Sequence, residues 1–209
     1  GITLLAADSI QTGVVASVGL GYGSSSTNIK YSSAGKDFAK LDRADYSKQG
    51  AAWNVQLGYD YVAGNYLIGG LAYLGDMGGK KVKIGHPDDD TDQRGKVHRD
   101  LGYGAFVRAG YLISPQSLIY VGVGGLFGKT HVKLDNDSKF NKNAVGPAFT
   151  IGTEFAVCQG FSVGLSGIFS LPKTYKGKAN ATATTDNNDA KWTKRDSAVL
   201  LNLTYRLPV

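Results

Sequence analysis

The sequence predicts an all-β fold, an eight-stranded antiparallel transmembrane up-and-down β-barrel with short periplasmic turns and four long extracellular loops. Segments of about ten residues alternate apolar and polar side chains, as membrane-spanning barrel strands do. Short and long connections between these segments alternate along the chain. Glycine and tyrosine are abundant, with 29 and 12 among 209 residues, which suits a filled interior and aromatic residues at membrane interfaces. We therefore expect one barrel domain over residues 13–209, preceded by a periplasmic N-terminal segment at residues 1–12.

Alternating hydrophobicity defines the eight segments, because successive side chains of a strand point to opposite faces. The second segment is the clearest. Between Trp53 and Tyr61 every odd position is apolar, while the even positions hold Asn, Gln, Gly and Asp. The first segment alternates larger apolar residues with mostly small ones, whereas the two faces of the third cannot be separated. The predicted segments cover residues 13–22, 53–61, 66–74, 101–111, 118–129, 145–157, 161–171 and 197–207.

The lengths of the connections indicate how the barrel is oriented. Bacterial outer-membrane barrels have short periplasmic turns and long extracellular loops, so both termini are expected in the periplasm. A soluble lipocalin-like barrel is the alternative, but its outer face would be polar, whereas the outward positions here are apolar. The short turns lie near residues 62–65, 112–117 and 158–161, and the long polar loops near 23–50, 75–100, 130–144 and 172–196.

Charge and cysteine content exclude several other classes of protein. The formal net charge is +6, but the basic residues cluster in the polar stretches without a recognition motif, so nucleic acid is not an expected partner. No apolar run reaches the roughly 18 residues that a membrane helix needs. Cys158 is the only cysteine, which excludes a disulfide framework and a zinc site built from several cysteines.

Four charged residues are predicted to meet inside the barrel. Asp60, Arg108, Glu154 and Arg206 occupy inward positions near the periplasmic ends of the second, fourth, sixth and eighth segments. An eight-stranded barrel is just wide enough for side chains to fill its interior, and buried charges need opposite partners. We therefore expect an ion-pair network that plugs the lumen.

Two polar side chains, Gln56 and Asn202, face the same lumen and are expected to bridge the remaining donors and acceptors of this network. A narrow porin-like channel is the alternative, because charged residues within a membrane often mark an ion or proton pathway. The two interpretations differ in whether the lumen conducts ions.

Outward aromatic residues are expected to anchor the barrel at the two membrane interfaces, where amphipathic rings are favoured. They occur toward both ends of the outward faces of the segments. The residues are Trp53, Tyr59, Tyr61, Tyr103, Tyr111 and Tyr205.

Three stretches resemble a known family. The run from Trp53 to Tyr61, the pair 101–111 and 118–128, and the closing Leu201 to Leu207 are similar to the opacity-type, OmpA-like small outer-membrane barrels, especially alpha-proteobacterial major surface proteins. The resemblance implies a structural surface protein that supports envelope integrity and acts through its loops. It implies outer-membrane lipid and lipopolysaccharide as partners, with peptidoglycan, other outer-membrane proteins and host ligands as further ones.

The start of the chain carries a second, shorter resemblance. Ala6, Ala7 and Asp8 are similar to the Ala-Asp terminus through which some family members are joined to peptidoglycan, which implies Ala7 as an attachment point. If residues 4–7 are instead the tail of a signal sequence, the mature chain begins near Asp8.

The histidines are candidates for catalytic residues and for haem ligands. An enzyme needs a nucleophile and a base within hydrogen-bond reach, and no serine motif accompanies His86, so we expect no enzymatic activity. Haem binding through His98 and His131 is a further alternative, because histidine is a common axial ligand. Extrapolated alternation places His98 inward and His131 outward, which argues against a shared iron. The acidic run at residues 88–92 lacks calcium-loop spacing, so no metal and no cofactor are expected.

Overall fold

A computed structural model describes residues 9–32, 44–78, 81–84, 95–99, 101–133, 139–179 and 188–209. Strands make up most of this part of the chain. Among the described residues, no helix is long and apolar enough to cross a membrane. The strands are β1 (Gly13–Ser32), β2 (Ala44–Ala63), β3 (Tyr66–Asp76), β4 (Lys81–Ile84), β5 (Gly95–Arg99), β6 (Gly102–Ser114), β7 (Ser117–Lys133), β8 (Lys139–Cys158), β9 (Phe161–Ser170), β10 (Lys173–Ala179) and β11 (Asn188–Pro208).

Eight of these strands close into an antiparallel barrel in the order β1, β2, β3, β6, β7, β8, β9 and β11, and β11 pairs back onto β1. Following paired residues once around the ring from Gly13 leads back to β1 at Gly23, ten residues further along. This stagger requires the strands to tilt against the barrel axis. The predicted fold class, an eight-stranded up-and-down barrel, is confirmed.

Strand pairing continues further into the predicted loops than hydrophobic alternation indicated. β1 extends to Ser32, β2 begins at Ala44 and β11 begins at Asn188, although all three residues fall in stretches predicted to be loops. The hairpin of β4 and β5, which pairs onto β7, and the short β10, which pairs onto β11, were not predicted at all. Backbone pairing does not need an apolar face, so strands that extend beyond the apolar band carry no alternation signal.

The third segment, whose faces the sequence left open, takes a single register in the structure. Leu67, Leu71 and Tyr73 of β3 are buried, while Ile68 and Leu74 are exposed on the outer surface. Pairing with β2 on one side and β6 on the other decides this assignment, because a shift by one residue would reverse both faces.

The outer surface is a continuous band of exposed apolar side chains, including Leu20 at 72% and Val123 at 68% exposure. Aromatic residues mark both edges of the band, eight positions apart on the same strand, as in the pair Tyr103 and Tyr111. Eight residues of a strand span about 27 Å, and less along a tilted axis, close to the height of the apolar band of outer-membrane barrels. The six predicted interfacial aromatics all point outward; the five tyrosines are 42–55% exposed and Trp53 is half-buried.

Two clusters of buried apolar side chains fill the interior. The turn-side cluster lies at the end where short turns join β2 to β3, β6 to β7 and β8 to β9, and the loop-side cluster lies toward the other end. The turn-side cluster contains Ile10, Leu67, Leu112, Leu118, Tyr120 and Ala156. The loop-side cluster contains Ala52, Tyr73, Met77, Phe106, Leu126, Ala148, Ile168, Ala198 and Leu200.

The residues that precede β1 fold across the turn-side mouth of the barrel. Ile10 is buried in the turn-side cluster, and its N–H donates to the carbonyl of Pro115 at 2.8 Å. The hydroxyl of Thr12 accepts from the N–H of Val62 at 2.8 Å. The described end of the predicted N-terminal segment is thus part of the packed interior.

The exposed apolar side chains are assigned to a lipid-facing band. We therefore expect the loss of stability caused by a charge on the outer face to depend on how deep in the band the charge lies. Leu57 lies on the outer face midway between Trp53 and Tyr61, and Ala63 ends the same strand on the same face. We expect Leu57→Arg to lower the free energy of unfolding by about 2–4 kcal/mol and Ala63→Arg by about 0–1 kcal/mol, because a charge costs most at the bilayer midplane. Urea unfolding in lipid vesicles measures both, and equal losses would contradict the position of the band.

Candidate functional site

Alternate strands of the ring supply the four charged residues of the lumen. Asp60 lies on β2, Arg108 on β6, Glu154 on β8 and Arg206 on β11. Their exposed fractions lie between 0 and 4%. The structure brings together all four residues singled out from the sequence, because each occupies an inward position a few residues from the turn-side end of its strand.

Asp60 is the centre of this charge cluster. Its Oδ1 accepts from Nε of Arg108 at 3.0 Å, and its Oδ2 forms a closer contact with Nη2 of the same residue. Nη2 of Arg206 donates to Oδ2 of Asp60 at 2.8 Å and to Oε2 of Glu154 at 3.2 Å. Nη2 of Arg108 lies 3.9 Å from Oε2 of Glu154. Two carboxylates and two guanidinium groups therefore balance their charges across the lumen.

The space for this cluster comes from neighbouring residues that sequence reasoning did not single out. A Cβ at Gly69, which is paired with Asp60 across β2 and β3, would lie 2.1 Å from Oδ1 of that residue. The guanidinium carbon of Arg108 lies 5.0 Å from the centre of the Tyr120 ring, within cation–π range. A Cβ at Gly152 would lie 2.5 Å from the hydroxyl of Tyr120. Gly152 is inward by the strand parity of β8, which is the signal that could have found it, whereas the unresolved faces of β3 left no such signal for Gly69.

The two predicted bridging residues do not bridge the cluster. Asn202 is buried, but its Nδ2 donates to Oγ of Ser166 at 2.8 Å rather than to a carboxylate. Gln56 is half-buried and takes no part in the ion pairs. The expectation was wrong because the two guanidinium groups already occupy the carboxylates, and Asn202 lies four positions further into the barrel than Arg206.

The cluster lies between the two apolar clusters. Along β6 the buried residues run from Phe106 of the loop-side cluster through Arg108 to Leu112 of the turn-side cluster. Along β8 they run from Ala148 through Glu154 to Ala156 in the same sense. Buried apolar side chains therefore lie on both sides of the charges along these strands.

The other residues considered from the sequence contribute little within the described part of the chain. Ala7, His86 and the acidic run 88–92 lie outside the described residues. His98 of β5 pairs directly with His131 of β7, which corrects the predicted opposite parity. The register of β5 on β7 is offset by one residue from the register of β6 on β7, so the alternation of β6 cannot be extrapolated into β5. Within the described residues, no three His, Cys, Asp or Glu side chains are grouped as metal ligands.

A pocket of about 410 Å³ lies at the rim of the turn-side mouth. It is lined by residues 9–11, the β8–β9 turn and the last residues of β11, and Cys158 is among its lining residues. The thiol of Cys158 is free and half-buried. No ion pair of the described residues other than those of Arg206 reaches this rim.

Comparison with known proteins supports the fold. No family model and no curated protein matches the chain. The outer-membrane protein OprG of Pseudomonas aeruginosa is 11% identical, with 94% of this chain and 98% of that chain covered and a TM-score of 0.57. The outer-membrane protease OmpT of Escherichia coli is 8% identical, with 97% and 100% covered and a TM-score of 0.51. Ail of Yersinia pestis is 14% identical, with 91% and 99% covered and a TM-score of 0.41.

The chain is a small antiparallel β-barrel with an apolar outer face and a buried charge cluster in its lumen, and it shares the barrel architecture of solved outer-membrane proteins.

Because the four charges are paired, we expect truncation of one charged side chain to lower the free energy of unfolding more than removal of an oppositely charged pair. Arg108→Ala leaves Asp60 and Glu154 with one guanidinium between them, and we expect a loss of about 3–5 kcal/mol in the free energy of unfolding. Asp60→Leu combined with Arg108→Met leaves the balanced pair of Arg206 and Glu154 and should recover much of that loss. Reversible unfolding in vesicles measures both variants. A double variant at least as unstable as Arg108→Ala would show that the charges are not coupled.

Two adjacent glycines test how tightly Asp60 is held. A Cβ at Gly69 would collide with the Asp60 carboxylate, whereas a Cβ at Gly70 meets no atom within 4 Å. We expect Gly69→Ala to destabilise the barrel by about 1–3 kcal/mol through overpacking, and Gly70→Ala to change it by less than about 0.5 kcal/mol. Similar values for the two variants in urea unfolding would argue against a fixed carboxylate.

Proposed function

We propose that this protein is an integral outer-membrane barrel of Gram-negative bacteria that acts as a structural surface protein. It contributes to envelope integrity, presents its loops for surface interactions, and neither conducts ions nor catalyses a reaction. The observation that carries the proposal is the balanced charge cluster between two apolar clusters. A lumen closed in this way leaves the outer face and the loops as the surfaces that can act.

The apolar band supports a location in a lipid bilayer. Its exposed side chains would face water in a soluble protein, at a cost of roughly 25 cal/mol for each Å² of apolar surface. Outer-membrane lipid and lipopolysaccharide are the partners that fit this band. The family resemblance adds peptidoglycan at the N-terminal segment, near Ala7, and other outer-membrane proteins or host ligands at the loops.

The absence of enzymatic activity is part of the proposal. The four side chains of the charge cluster are paired with one another, and all four are at most 4% exposed to solvent. A catalytic acid or base has to reach a substrate proton directly or through one water molecule. The charge cluster therefore supports a structural role.

Recordings from planar bilayers separate a closed lumen from a narrow pore. We expect the refolded wild-type chain to show no resolved single-channel current. Phe106→Ala combined with Leu118→Ala removes a large side chain from each apolar cluster, so current should appear. Val123→Ala on the outer face should stay silent. A steady current from the wild type would refute the closed lumen and favour the channel.

Thiol labelling of intact cells tests the orientation. Cys158 lies beside the β8–β9 turn, which we place in the periplasm, and the exposed Pro172 lies beyond the opposite end of β9. A membrane-impermeant maleimide should leave the wild type unlabelled until the outer membrane is permeabilised. Pro172→Cys in a Cys158→Ser background should be labelled directly. The reverse pattern would mean that the barrel is inserted the other way round.

A further inference from the structure

Two buried amide oxygens converge on one point of the barrel wall. Gly19 of β1 is paired with Asn54 of β2 on one side and with Asn202 of β11 on the other. The Oδ1 atoms of the two asparagines lie 2.6 and 2.5 Å from the point that a Cβ at Gly19 would occupy. Asn54 is only 1% exposed and Asn202 only 6%.

Neither oxygen has a hydrogen-bond partner among the described protein atoms, and Nδ2 of Asn54 has none either. The orientation of the Asn202 amide is fixed, because its Nδ2 donates to Oγ of Ser166 at 2.8 Å and to the carbonyl of Leu200 at 3.2 Å. Its oxygen must therefore face Gly19. A buried polar atom without a hydrogen-bond partner destabilises the folded state, so this position favours an occupant that supplies hydrogens.

We propose that the lumen contains a binding site for one ordered water molecule, held over Gly19 by Oδ1 of Asn54 and Oδ1 of Asn202. Water donates two hydrogens, which matches two acceptor oxygens, and buried waters typically make about two to four such bonds. Two amide oxygens are too few for a desolvated divalent cation, which takes about six oxygen ligands. The charge cluster adds no net negative charge that would attract a cation.

The site depends on the absence of a side chain at Gly19. Any larger residue would place carbon where both oxygens point, whereas glycine leaves that volume to the occupant. The loop-side cluster lies on one side of the site, since Leu200 is two positions from Asn202 and Ala52 two positions from Asn54. The charge cluster lies on the other side, with Arg206 and Asp60 on the same two strands. The water is therefore enclosed, and its exchange requires the interior to open.

A crystal structure of the full chain, at a resolution that shows individual waters, tests the site. We expect a single peak within hydrogen-bond distance of both Oδ1 atoms in the wild type, and no such peak in Gly19→Ala. Crystals grown in rubidium chloride distinguish water from a cation, because a bound rubidium ion gives an anomalous signal. An anomalous peak at the site would overturn the proposal. So would a direct hydrogen bond from Nδ2 of Asn54 to Oδ1 of Asn202.

Unfolding in vesicles gives a second readout. Loss of the water leaves two acceptors unsatisfied, so Gly19→Ala should raise the unfolding equilibrium constant by about tenfold or more. Gly125→Ala is the matched control, because its Cβ would meet only the Phe127 ring at 3.6 Å on the outer face. It should change the constant by less than about threefold. An unchanged unfolding constant for Gly19→Ala, together with a wild-type structure that lacks the peak, would show that the site does not exist.

Discussion

The balance of charge inside a narrow lumen is the constraint on which the rest of this structure depends. An eight-stranded barrel has no aqueous channel to hydrate four ionised side chains, so each of them needs an opposite charge within the ring. Asp60 meets both arginines, and Arg206 also reaches Glu154. Because these residues come from alternate strands, their ion pairs connect parts of the wall that share no backbone hydrogen bonds. The backbone ladders close the ring, and the ion pairs add contacts across its lumen.

Filling the lumen requires small residues as much as large ones. Gly69 gives room to the carboxylate of Asp60, Gly152 to the hydroxyl of Tyr120, and Gly19 to the two asparagine oxygens. Each glycine faces a larger polar group from a neighbouring strand, so these glycines leave room for polar side chains inside the barrel. This arrangement also places the ordered-water site and the charge cluster in one polar layer, bounded by apolar side chains at both ends.

The outer surface differs from the lumen, because its apolar side chains are exposed. Apolar side chains such as Leu20 and Val123 stay exposed because their proposed solvent is lipid, and the aromatic residues lie where that solvent would end. Beyond the band the strands continue through mostly polar sequence, as β1 does up to Ser32.

Hydrophobic alternation in the sequence assigns most inward residues, as the run from Trp53 to Tyr61 shows. The distance of each residue from a nearby turn also places Asp60, Arg108, Glu154 and Arg206 at similar depth. The faces of β3, the partner of Asn202 and the convergence of that residue with Asn54 follow from the folded barrel alone. A period of two fixes the face of a side chain but not its neighbours across the lumen. Those neighbours depend on the ten-residue stagger around the ring, which is a property of all eight strand pairings together.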